Sequence, residues 1–215
     1  MTESKKIPEH QAIYEKLRDA ILVGKFAPGE PLTIQGLAER YGAGMTPVRE
    51  SIRRLTAEHA LQTLGNRRVI VPELTRRQIE DIYFLRLTIE PELASKATKL
   101  MSEHDLKMLA AVDKEVDLAI ERGDVETYLE RNRAFHFSIY DCADAPVLLR
   151  CVQSLWVQIG PSQRVVCGRY GTASLPDKHS ELLSAFRAQD PRAAAIAMRE
   201  DLEQGMDLIC QSSAD

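Results

Sequence analysis

The chain has 215 residues, 44% of them hydrophobic and 28% charged. That balance is enough for one large core or two small ones and excludes a disordered chain, and no apolar run reaches the length of a membrane span. Net charge is −4, which excludes a uniformly basic nucleic-acid coat, but the charge is uneven. Up to Thr75 there are eleven Lys/Arg against nine Asp/Glu, a net of +2; the remainder has seventeen against twenty-three, a net of −6. A mildly basic front on an acidic back fits a DNA-binding head on a body with another task. The start, MTESKKIPEHQ, has no apolar h-region, so a cytoplasmic location is expected. Cys142, Cys151, Cys167 and Cys210 form no C-x-x-C pair and are expected to be reduced.

Ile13, Leu17, Ala20 and Ile21 share one helical face, which predicts a helix over 10–23 closed by Gly24. The stretch F-A-P-G-E then reads as a turn. Thr33 is positioned to cap a second helix that turns Leu37, Ala38 and Tyr41 inward and ends at Gly42. After a short turn, TPVRESIRRL (46–55) predicts a third, with Thr46 as N-cap and Pro47 at the first helical position. Val48, Ile52 and Leu55 form its apolar stripe, while Thr46, Arg49 and Arg53 share another face. A helix anchored on one side and showing arginines on the other suits a DNA major groove, because the arginine fork can pair with guanine or phosphate. The bland reading is a surface helix with solvated arginines. Two apolar runs, 61–64 and 69–71, flank Gly65-Asn66-Arg67-Arg68 and predict a hairpin whose basic tip is placed to touch phosphate or the minor groove. Arg67 and Arg68 read blandly as solvated turn residues.

The segment ILVGKFAPGEPLTIQGLAERYGAGMTPVRESIRRLTAEHAL resembles the winged helix-turn-helix of the GntR transcriptional regulators. The I-L-x-G-x-F-x-P-G-x-x-L, L-A-x-x-x-G and T-P-V-R-E pieces carry the resemblance over about residues 10–72. It implies DNA contacts from Gln35, Thr46, Arg49, Arg53, Arg67 and Arg68. Four departures stand out. Gly44 and Met45 replace the usual Ser-Arg, so a different operator is expected. Gln35 stands where relatives often place arginine. His59 replaces a glycine expected at positive φ, and Arg68 replaces the wing glycine.

From Leu74 onward the pattern is almost all helical. Thr75 caps a helix carrying Ile79, Ile82, Tyr83, Arg86 and Glu90, which Pro91 is expected to interrupt or kink. Ser102 caps the next, Arg122-Gly123-Asp124 is a turn, and Asp124 caps a helix through Tyr140. Ala145-Pro146 starts one through Ile159, and residues 160–171, GPSQRVVCGRYG, are expected to be irregular. Asp177 leads into a helix ending near Ala188, and Asp190-Pro191 opens the last, through Ile209. The fold class expected is mainly α, a winged helix-turn-helix (1–75) followed by a bundle of six or seven helices (76–215).

The pieces L-R-L-T-I-E (85–90), N-R-A-F-H-F (132–137), D-K-H-S-E-L-L-S-A-F (177–186) and A-M-R-E-D-L (197–202) resemble the FCD domain of FadR-like GntR regulators. The resemblance implies a divalent metal (Zn, Ni, Fe or Mn) held by Asn132, His136, His179 and Asp201, where the family pattern has Asp-x-x-x-His and two later histidines. Here Asn132 replaces the aspartate and Asp201 the last histidine, which keeps the formal ligand charge at −1. The alternative is a polar cavity whose histidines are hydrogen-bonded without metal. It also implies a small organic-acid effector, for which Arg86 and Arg164 are candidates, each with an interhelical salt bridge as the bland role.

The function expected is a homodimeric DNA-binding regulator, more often a repressor, on a pseudo-palindromic operator. Two rivals stand beside it. One is a metal-dependent enzyme acting on small carboxylates through His136, His179 and Asp201; the other is a winged module that binds protein. No nucleophile motif or phosphate loop supports the enzyme.

Overall fold

The computed structural model describes residues 8–65, 68–170 and 178–212. Asn66 and Arg67 at the wing tip, and Asp177, lie outside the described residues. The head comprises α1 (Glu9–Leu22), β1 (Pro31–Leu32), α2 (Ile34–Tyr41), α3 (Met45–Ala57), β2 (Gln62–Thr63) and β3 (Val69–Ile70). α1 buries Ile13, Leu17 and Ile21. Gly24 stops it at φ 66°, and the N–H groups of Gly24 and Lys25 bond back to the carbonyls of Ile21 and Ala20. Thr33 caps α2 by accepting the Gly36 N–H at 3.0 Å, and Gly42 ends it at φ 61°.

α3 starts two residues earlier than the cap reading predicts. Gly44 is the N-cap and offers no side-chain bond, so Thr46 lies inside the first turn. The helix needs no hydroxyl there: the Gly44 carbonyl already accepts the Val48 N–H, and Pro47 still falls among the residues whose N–H has no partner. Val48, Ile52 and Leu55 are buried as the stripe requires. His59 takes φ 59°, the conformation a glycine would favour. The hairpin forms as β2 and β3, and β1, directly after the F-A-P-G-E turn and not foreseen as a strand, pairs with β3 to make an antiparallel sheet of order β1-β3-β2.

The body comprises α4 (Arg76–Thr98), α5 (Glu103–Arg122), α6 (Val125–Cys142), α7 (Pro146–Tyr170), α8 (Lys178–Arg187) and α9 (Pro191–Ser212). Thr75 with Gln78, and Ser102 with Asp105, form reciprocal capping boxes; Asp124 and Asp190 cap α6 and α9. None of the described helices is long and apolar enough to cross a membrane.

Two prolines and one glycine sit inside helices where the sequence predicts a break. Pro91 lies within α4. It cannot donate to the Leu87 carbonyl, and Arg199 of α9 fills that acceptor at 2.9 Å. α7 runs through Gly160 and Pro161, so residues 160–170 are helical rather than irregular. Gly160 is there for closeness. A Cβ on it would stand 2.1 Å from the Leu22 carbonyl oxygen of α1.

That approach joins head to body, and the buried apolar cluster is continuous across the two. Arg18 donates to the Gln153 carbonyl at 2.9 Å, Arg133 pairs with Asp19 at 3.0 Å, and Lys25 pairs with Glu126 and Glu130. The pairs are exposed and contribute register more than strength. Gly160→Ala is expected to lower stability by about 1–3 kcal/mol, because the obstructing atom is backbone. Urea unfolding followed by far-ultraviolet circular dichroism checks this.

Candidate functional site

The exposed side of α3 is the first candidate. Arg49 and Arg53 are exposed and make no ion pair among the described residues. Arg54, their neighbour in sequence, is occupied inside the head. It lies over the Tyr14 ring at 3.5 Å, pairs with Glu58 at 3.3 Å and donates to Gln11 at 2.8 Å. Glu58 also accepts the Tyr14 hydroxyl, so this cluster holds α1 against α3. Burial and the Glu58 hydrogen bond push the Tyr14 phenol up to about 12. Thr46 is exposed beside the arginines, and Arg68 is exposed where the wing returns. Gln35 is exposed on α2 and donates to Glu39 at 3.0 Å. Arg67 lies outside the described residues.

The second candidate is a cavity of about 120 Å³ inside the body, walled by all six helices. Apolar walls come from Val116, Ile120, Leu129, Trp156, Val166 and Leu202, and polar groups from Tyr83, Arg86, Asn132, His136, Gln163, Lys178, His179 and Asp201. Arg86 is 1% exposed. Its Nε donates to Glu90 Oε1 at 2.6 Å and its Nη2 to Oε2 at 3.3 Å. Burial works against its charge, but the Glu90 carboxylate outweighs this and raises its pKa. Its Nη1 is buried without a partner. The plane lies over Trp156 at 4.6 Å and Tyr83 at 5.1 Å. Glu90 is 0% exposed and accepts also from Tyr140 and from Trp156 Nε1 at 3.2 Å.

The histidines line the same cavity. Tyr140 has one hydroxyl proton, and it goes to Glu90. The His136 Nδ1, 3.1 Å from that oxygen, therefore donates to it. His136 Nε2 is left facing Asp201 Oδ2 at 3.3 Å. His179 donates Nδ1–H to Asp113 at 2.9 Å, stacks on Phe135 at 3.9 Å, and turns Nε2 towards Asp201 at 3.9 Å. Burial would raise the Asp201 pKa, but the His136 hydrogen bond and the charges of His136, His179 and Arg86 bring it below the usual carboxylate range. Two imidazole nitrogens and an anionic carboxylate thus converge, one ligand atom from each residue lying within 4.8 Å of the others. A neutral imidazole lone pair facing a carboxylate is repulsive, so this trio requires a proton or a cation.

A family model described as bacterial regulatory proteins, gntR family, matches residues 9–71, and an FCD domain model matches residues 81–204. The chain belongs to the GntR family and carries an FCD domain. The HTH-type transcriptional regulator McbR of Escherichia coli is 30% identical over 199 residues, covering 91% of this chain and 90% of that protein. The HTH-type transcriptional repressor RspR of the same organism is 26% identical, covering 92% and 87%. The solved structure of E. coli McbR/YncC superposes with a TM-score of 0.90 at 27% identity, over 96% of this chain and 99% of that one. The protein is therefore a DNA-binding transcriptional regulator with a C-terminal effector domain, and the enzyme expected as a rival is set aside because the family and these relatives are regulators.

Within this GntR chain, His136, His179, Asp201 and Asn132 do line one cavity, and Arg86 lines it with them. Arg164 does not. Its side chain packs over Gly24 at the end of α1, where a Cβ would touch it at 2.3 Å, so it belongs to the junction between head and body. Three residues went unnoticed in the sequence: Asp113, Tyr140 and Trp156. The i, i+4 spacing of His136 and Tyr140 was the available signal for one of them. Removing the Glu90 carboxylate leaves the Arg86 charge buried and unpaired. Glu90→Ala is expected to cost about 3–5 kcal/mol, measured by denaturant unfolding of the full chain.

Proposed function

We propose that this regulator is a cytoplasmic homodimeric repressor. Residues 1–75 bind one half-site of a pseudo-palindromic operator, and residues 76–215 hold a small organic acid. The observation that carries the DNA-binding surface is the pair Arg49 and Arg53, exposed without ion pairs on a helix whose other side is buried in the head. Thr46, Gln35 and Arg68, all exposed, extend the proposed contacts, and Arg67, outside the described residues, is proposed with them. Phe84 and Leu85 on the outer side of α4, 70% and 44% exposed, supply apolar area for a second copy.

For the effector, the support is Arg86 Nη1, a buried donor without a partner on a residue that lines the cavity. A carboxylate would satisfy it and offset a desolvated charge. The trio of His136, His179 and Asp201 fits a divalent metal (Zn, Ni, Fe or Mn), with the Asn132 amide oxygen as a weaker fourth donor. A bound ion would supply positive charge to which the same carboxylate could coordinate. Tyr140 and Asp113 hold both imidazoles with Nε2 turned inward, so the chain's own residues prepare the donor set.

α7 touches both functions. Trp156, Gln163 and Val166 face the cavity, while Gly160 and Arg164 press on α1. An effector that favours one position of α7 shifts the head by that differential affinity and no more.

Arg49→Ala is expected to weaken operator binding by about 1–3 kcal/mol and relax sequence preference at one base pair. Gel shifts across a salt series separate that loss from a uniform phosphate contribution, and unchanged affinity refutes the role. Titration calorimetry with zinc is expected to show loss of the site in His136→Ala and an affinity about 10–100-fold lower in Tyr140→Phe. Equal zinc affinity in all three proteins would remove the metal.

A further inference from the structure

Among the described residues of the head, one large apolar side chain stands in solvent: Met45, 57% exposed. It is the first residue of α3, directly after the N-cap Gly44. The other large apolar residues of that helix, Val48, Ile52 and Leu55, are buried. Met45, Arg49 and Arg53 follow at i, i+4 and i+8, all exposed. They form one row along the helix, each step about 6 Å of axial rise. Met45 is the leading member, at the end that a recognition helix presents to base edges.

We propose that Met45 is a specificity-determining residue that packs on the C5-methyl of a thymine in the major groove. The proposal rests on the reading of α3 as the operator-binding helix. A thioether has no N–H or O–H to donate and no charge for phosphate. Against guanine, cytosine or adenine edges it would desolvate polar atoms without replacing their hydrogen bonds. Of the groups on the groove floor, the thymine methyl is the apolar one. The flexible methionine stem can follow its position. About 6 Å of helix spans one or two base steps of roughly 3.4 Å, so the thymine stands one or two base pairs from the pair that Arg49 contacts.

The experiment starts from an operator selected with the full chain from a pool of randomised duplexes. Each thymine is then replaced by deoxyuridine, which removes the methyl and keeps the pairing. One thymine per half-site is expected to show a penalty of about fourfold, the burial of roughly one methyl group. Met45→Ala is expected to bind the thymine and deoxyuridine operators equally. Met45→Arg is expected to move the preference at that pair towards guanine. A selected operator with no deoxyuridine-sensitive position overturns the proposal, and so does a penalty that persists in Met45→Ala; both leave the role of Arg49 intact. Selection that enriches no sequence overturns the operator-binding reading itself, and this proposal with it.

Discussion

Glu90 is a carboxylate without solvent at which three donors aim: Arg86, Tyr140 and Trp156. A buried charge of this kind persists only when its partners satisfy it. Once it persists, it settles everything around it. It keeps Arg86 charged at the cavity wall. It takes the Tyr140 proton, which makes that oxygen an acceptor. It thereby assigns the proton on His136 to Nδ1, although nothing in direct contact with Glu90 is a histidine. A single acidic residue on α4 thus sets the donor face of a side chain on α6.

The second imidazole is held the same way by a different residue. Asp113 on α5 accepts the hydrogen bond from His179 Nδ1–H. Both rings then turn Nε2 to Asp201 on α9, a carboxylate that a further proton on either ring, or a cation between them, would balance. Five helices, α4, α5, α6, α8 and α9, therefore contribute to one electrostatic unit. Its net demand is for positive charge at the centre. The substitution of Asn132 for the family aspartate and Asp201 for its histidine moves the anion from α6 to α9 without changing this demand.

What could be read in the sequence was local. Helix ends declared by Thr33, Gly42, Thr75, Ser102, Asp124 and Asp190 are where the caps place them, because a cap is a contact between near neighbours. The failures are tertiary. Pro91 reads as a break until Arg199, more than a hundred residues away, supplies the lost donor. Gly160-Pro161 reads as a loop until α1 comes close enough that a methyl group would not fit. That Asn132, His136, His179 and Asp201 share one cavity was legible through resemblance; Tyr140 showed only as the i+4 neighbour of His136, and Asp113 showed no sign at all, since an aspartate on an amphipathic helix does not reveal the histidine it faces. The start of α3 was misplaced for a smaller reason: Thr46 is a good cap residue, and the backbone of Gly44 made one unnecessary.

Gly160 also constrains how a signal can travel. Its closeness to Leu22 leaves no space for a side chain to take up slack between α7 and α1. Close-packed surfaces of this kind slide or rotate as units instead of deforming gradually. The ion pairs that surround the contact, Arg133 with Asp19 and Lys25 with Glu126 and Glu130, are exposed and cheap to rearrange. Rigid contact at the centre with yielding contacts at the rim is the combination a pivot requires. Under the proposed coupling, it would let α7 change the angle of the head while the buried cluster that joins them stays closed.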